Sequence, residues 1–173
     1  KKNIDKRKDY ILKNKLGDLK YIILDNLKKY LKISKKRNKI INNRFIFYKF
    51  SKVVMSEFNG RYCTEYIDFP KFNPDFIYLD GPSQYYTLNN KNFSFNTNSK
   101  DLMPMVSDLN KIEHFLNPGT VILVDGRSAN VNFMRLNFQR NWKYKKINDF
   151  HLLILDEKVF GHKNLNTINF YDS

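Results

Sequence analysis

The chain has 173 residues, enough for one domain with a buried core, and its 42% hydrophobic content with 15 Phe and 11 Tyr excludes a disordered polymer. No apolar run nears the ~18 residues of a membrane span, no signal-peptide pattern is visible, and a single cysteine, Cys63, excludes an internal disulfide or a thiolate-cluster zinc site. A cytoplasmic protein is the expectation. The formal charge of +14 suggests an anionic partner, but residues 1–40 hold 15 Lys/Arg against 4 Asp/Glu and the other 133 residues hold 16 against 13. That front segment reads either as solvated helix faces, the commoner meaning of such a lysine-rich mixture, or as a patch for nucleic acid or another anionic polymer.

Residues 5–15 read as the end of a helix, stopped by Gly17. Leu19–Leu24 is a short apolar run ending in Asp25-Asn26, as expected of a strand buried on both faces. Leu27, Tyr30, Leu31 and Ser34 then follow helical spacing opposite a lysine face. Strands are expected at Arg44–Tyr48 and at Asp75–Asp80, the second stopped by Gly81-Pro82. A long helix is expected over 101–117, with Leu102, Met105, Val106, Leu109, Ile112 and Leu116 on one stripe and Pro118-Gly119 as its stop. Thr120–Asp125 is the next strand, closed by Gly126, and a short helix follows over about 129–138. Two last strands, near 142–147 and 151–156, face each other across Asn148-Asp149. The alternation implies an α/β sheet, parallel for most of its width, with an antiparallel pair at the C-terminal end.

Three strands end on an aspartate: Asp25, Asp80 and Asp125. In an open parallel sheet, ligands bind beyond the carboxyl ends of the strands, where a carboxylate escapes the core. Asp80-Gly81-Pro82 and Asp125-Gly126-Arg127 each put glycine after the carboxylate, which permits a sharp turn and close approach of a ligand. The two aspartates could share a divalent cation such as Mg, since hard metals prefer oxygen ligands. They could equally act as a general base and its orienting group. Arg127 either holds an anionic substrate or neutralises the aspartates. Tyr85 and Tyr86 either line the substrate mouth or pack within their loop. His114, His151 and His162 lack metal-ligand spacing, and structural or surface roles are expected of them. There is no G-x-S-x-G, no Walker A and no G-x-G pair.

The stretches PDFIYLDGPSQYY, PGTVILVDGRSANVNFMRLNFQRNWKY and DFHLLILDE together resemble a bacterial group of class I S-adenosylmethionine-dependent methyltransferase-like proteins. The likeness covers roughly residues 44–171 and extends more loosely back to 19. It implies a Rossmann-like sheet whose last strand inserts antiparallel, with the first strand and the glycine-rich cofactor loop lying upstream of residue 1. It also implies that Asp25 and its neighbour Asn26 meet the cofactor ribose, and that Ser51 and Lys52 lie near the adenine. Asp80 and Gly81 would sit beside the methyl donor, with Asp125 ending the next strand. Gly126 departs from the metal-dependent O-methyltransferases, which often carry a second ligand there. The expected reaction is methyl transfer from S-adenosylmethionine to a small polar or saccharide hydroxyl. Asp80 would serve as general base or metal ligand, Asp125 would support it, and Arg127 would position the substrate. The alternative is a non-catalytic module of the same fold that binds nucleic acid or another anionic polymer through the basic front segment. Without the glycine loop, residues 1–173 alone are expected to bind S-adenosylmethionine poorly.

Overall fold

A computed structural model describes residues 21–37, 46–70, 73–82, 87–88 and 105–158. They belong to two compact units, residues 1–51 and 52–173. The helix expected over 5–15 lies outside the described residues. The architecture is mixed α/β.

In the first unit, β1 (Tyr21–Asp25) and β2 (Ile46–Phe50) pair in parallel, from Tyr21 opposite Ile46 to Asp25 opposite Phe50. Of the strand expected over Arg44–Tyr48, residues 44 and 45 lie outside the described residues, and the strand runs on to Phe50. Between the strands runs α1 (Lys28–Arg37), started by Asp25, whose Oδ1 accepts the Leu27 N–H at 2.8 Å. Leu31 is the residue of α1 that is buried, whereas Tyr30, expected on the same stripe, is half exposed. The last turn carries Lys35, Lys36 and Arg37, the charge sign that a helix C-terminus favours. Lys28 and Lys35 lie over the Phe50 and Tyr48 rings, at 5.0 and 5.3 Å from the centroids.

Among the described residues of the second unit are two four-stranded sheets, and both are mixed rather than mostly parallel. One is built on a hairpin that the periodicity did not suggest: β3 (Val53–Phe58) and β4 (Arg61–Tyr66), joined by Asn59-Gly60. Both turn residues have positive φ, 50° and 73°, as a two-residue turn matching strand twist requires. Short strands β6 (Thr87–Leu88) and β7 (Met105–Val106) add in parallel to β3 and β4. The long helix expected over 101–117 is therefore corrected. Met105 and Val106 are strand, α2 spans only Asp108–Ile112, and a 3-10 turn follows over Glu113–Phe115. Pairing with Cys63 and Thr64, together with an Asn130 Oδ1 that accepts the Val106 N–H at 2.7 Å, satisfies backbone that a helix would otherwise have claimed. Leu102 lies outside the described residues.

The other sheet has the order β5 (Phe76–Leu79), β8 (Val121–Asp125), β10 (Phe150–Leu155), β9 (Trp142–Ile147). β5 is parallel to β8, and β10 is antiparallel to both its neighbours. The expected C-terminal hairpin is present, turning at Asn148 with φ 53°. Helix α3 (Ser128–Asn137) links β8 to β9. Its Val131 and Met134 pack with Leu109, Ile122, Val124 and Leu153 in one buried cluster, each such side chain contributing about 1.5–3 kcal/mol by leaving water. Strand alternation turns Phe76 and Tyr78 to the other face, where both are exposed.

At the end of this sheet where β9 begins, the buried Glu113 carboxylate accepts the backbone N–H of Gln139 and Arg140 and the indole N–H of Trp142, at 2.8–2.9 Å. Arg140 donates to the Glu113 and Leu116 carbonyls and pairs with Glu157. Phe138 stacks on Trp142 with centroids 4.9 Å apart. The NFQRNW stretch is thus a clamp that fastens β9 to the turn after α2.

Candidate functional site

Leu79 pairs with Val124, so the next residue of each parallel strand is an aspartate: Asp80 just past β5, and Asp125 closing β8. The two expected site carboxylates are neighbours at one sheet end. The Tyr78 hydroxyl donates to Asp125 Oδ2 at 2.6 Å. That bond, with some help from burial and from the charges of Asp125 and Asp80, pushes the Tyr78 phenol up to about 12. Tyr78 is therefore a firmly protonated donor at neutral pH.

Arg127 Nε lies 3.7 Å from Asp80 Oδ1, so of the two roles open to it, neutralising an aspartate is the one the geometry displays. Gly81 makes this approach possible. Its φ is +79°, and a Cβ there would stand 3.0 Å from the Arg127 guanidinium carbon. The Gly126 N–H donates to the Asp149 carbonyl at 3.0 Å, tying the loop after β8 to the β9–β10 hairpin. Two carboxylates against one guanidinium leave the strand ends with surplus negative charge, which suits a ligand bearing positive charge, as a sulfonium does.

A divalent cation fits less well. Among the described residues no group of three His, Cys, Asp or Glu is placed to hold a metal. Asp125 is engaged by a phenol, and Asp80 already faces a guanidinium, where a hard cation needs six or more oxygens.

In the first unit, Asp25 closes β1 and Asn26 behind it is buried. The carbonyl of Asp25 accepts the N–H of buried Ser51 at 3.2 Å. Lys52 opens the second unit and is exposed, its carbonyl accepting the Ile67 N–H at 3.0 Å. Tyr85, Tyr86 and His162 lie outside the described residues. His114 is exposed on the 3-10 turn.

One cluster had no signal in the sequence. His151, buried in β10, has its Nε2 3.0 Å from Ser128 Oγ and its Nδ1 2.9 Å from the Tyr144 hydroxyl. The Tyr144 and His151 rings stack with centroids 6.0 Å apart, and the Arg135 guanidinium covers the Tyr144 ring at 4.0 Å. Burial first, then the charges of Lys146 and Arg135, hold His151 below the usual imidazole value, with Asp149 opposing. Ser128 and His151 are too far apart in sequence for any local spacing to pair them; the β8–β10 ladder brings them together.

No protein-family model, curated protein or solved structure matches the chain. Among the described residues no helix is long and apolar enough to cross a membrane.

Proposed function

We propose that the chain carries the donor and acceptor groups of a cytoplasmic, Rossmann-like S-adenosylmethionine-dependent methyltransferase acting on a small polar or saccharide hydroxyl. The observation that carries this reading is the juxtaposition of Asp80 and Asp125 at the carboxyl ends of adjacent parallel strands. The antiparallel insertion of β10 between β8 and β9 supports it, since the family likeness implies that order.

When bound, S-adenosylmethionine supplies an electrophilic methyl group on a sulfonium. Asp80, the more exposed carboxylate, accepts the proton of the acceptor hydroxyl as the oxygen attacks. Arg127 holds Asp80 in place, and the Tyr78 phenol fixes Asp125, whose negative charge favours the sulfonium. Gly81 is assigned to the adenosyl portion.

The test is an amide NMR titration of the chain with S-adenosylmethionine carried to millimolar concentration, because weak binding is expected. Shifts at residues 80–81 and 125–126 are the expected result. No response at those amides up to saturation of the solution overturns the reading.

A second reading has an observation of its own: α1 carries Lys28, Lys29, Lys32, Lys35, Lys36 and Arg37 and no acidic residue. If this face holds a polyanion, affinity for single-stranded oligonucleotide falls steeply with salt, with a log–log slope of roughly −0.7 per phosphate engaged. Affinity that is flat in salt removes this reading.

A further inference from the structure

We propose that Ser128 is an activated nucleophile that takes small, electrophilic acyl or phosphoryl groups, with His151 as its general base and the Tyr144 phenol positioning the imidazole. The site stands apart from the strand-end carboxylates. His151 pairs with Val124 in the β8–β10 ladder and so shares the α3-covered face, whereas Asp125 pairs with Phe150 on the other. Neither outcome for the methyltransferase reading bears on it.

Three features make Ser128 unlike an ordinary surface serine. It is exposed, yet its Oγ lies 3.0 Å from Nε2 of an imidazole that is itself only 3% exposed. That imidazole is held in turn by a third group, the Tyr144 hydroxyl at 2.9 Å on Nδ1, which is the nucleophile–base–orienter arrangement required to activate a hydroxyl. Ser128 is also the first residue of α3. The first helical bond runs from the Val131 N–H to the Arg127 carbonyl, so the amides before it lie at the helix mouth, where charge developing on an electrophile's oxygen is stabilised.

This chemistry requires one of the two imidazole tautomers. With Nδ1–H donating to the Tyr144 oxygen, Nε2 is left as the acceptor for the Ser128 hydroxyl proton. Ser128 Oγ bonds to the acyl carbon of an ester as that proton passes to Nε2. The carbonyl–alkoxy bond then breaks, and the imidazolium returns the proton to the departing alkoxide. Water repeats the sequence in reverse, releasing the carboxylic acid and restoring Ser128. Because the third group is a neutral phenol rather than a carboxylate, the imidazolium gains little stabilisation, and turnover is expected to be slow.

The probe is diisopropyl fluorophosphate, which loses fluoride when a serine oxygen attacks phosphorus, applied to the intact chain and followed by peptide mass mapping. The expected result is one adduct, on Ser128, absent from Ser128→Ala. His151→Gln slows its formation about a hundredfold, the usual worth of a general base. Tyr144→Phe slows it less, with the adduct still confined to Ser128; an unchanged rate overturns the phenol's part. Wild-type chain that acquires no adduct on Ser128, or acquires adducts equally on its other serines, overturns the proposal whether or not the variants fold. An undiminished rate in a folded His151→Gln chain, checked by far-UV circular dichroism, does so too.

Discussion

The two ends of the β5-β8-β10-β9 sheet use the same residue types to opposite effect. At one end Glu113 sits 1% exposed, with three N–H donors on its carboxylate and Arg140 bridging from its own carbonyl to Glu157. At the other, Asp80 is largely in solvent, 3.7 Å from Arg127, and Asp125 holds one exposed phenol. A buried carboxylate whose lone pairs are all taken cannot exchange partners without leaving unpaired donors in the core, so it belongs to the fold. An exposed carboxylate on a neighbouring guanidinium contributes little to stability and is open to exchange. Burial and donor count, not residue identity, separate the anchor from the candidate site.

The contrast is most easily broken by mutation. Glu113→Ala leaves the backbone donors of Gln139 and Arg140 and the Trp142 indole N–H without their acceptor, and it should lower the urea unfolding free energy by about 3–5 kcal/mol. A loss below about 1 kcal/mol would erase the distinction between the two ends.

A third carboxylate refines the comparison through pH. Asp108 is buried and accepts the Tyr66 N–H, but loss of hydration outweighs those bonds and pushes its carboxyl up to about 7. The folded chain therefore binds a proton there that the unfolded chain has released above about 4. Stability from this group is complete below pH 4 and is lost as pH rises through 7, by roughly 4 kcal/mol in total. His151 has the opposite sign. Its imidazole is held neutral by burial, so its share is present above about pH 6.5 and lost as pH falls below that. Asp108→Asn should remove the fall between about pH 4 and 7 and leave the His151 loss below about 6.5. An unchanged pH profile of the urea midpoint would contradict the assignment.

A smaller effect reads the strand ends directly. Ultraviolet titration of wild type against Tyr78→Phe should show one phenol ionising near 12, and Asp125→Asn should return it toward 10. A Tyr78 that titrates near 10 in the wild type would mean that the 2.6 Å bond does not persist in solution.

Much of this sheet was legible because its cues are local. Gly81 and Gly126 mark where β5 and β8 stop, the aspartates before them mark the carboxyl ends of the strands, and Asn148-Asp149 marks the last hairpin. Asn59-Gly60 was an equally local cue for the β3–β4 hairpin, hidden because Val53-Val54-Met55 and Tyr62-Cys63-Thr64 lack strict alternation of apolar and polar residues. The apolar stripe through Met105 and Val106 fits a helix as well as a strand, and only pairing with Cys63 and Thr64 decides between them. Glu113 and the Ser128–His151 pair were illegible for a different reason: their partners arrive from distant elements, and no spacing records that.

The claim on which the rest depends is that Asp80 and Asp125 serve a ligand rather than the fold, and the double variant Asp80→Asn/Asp125→Asn tests it in one preparation. The predicted result is an unfolding free energy within about 1 kcal/mol of wild type, together with loss of the S-adenosylmethionine response at residues 80–81. A collapse in stability like that expected of Glu113→Ala, or an undiminished response to the ligand, would contradict it.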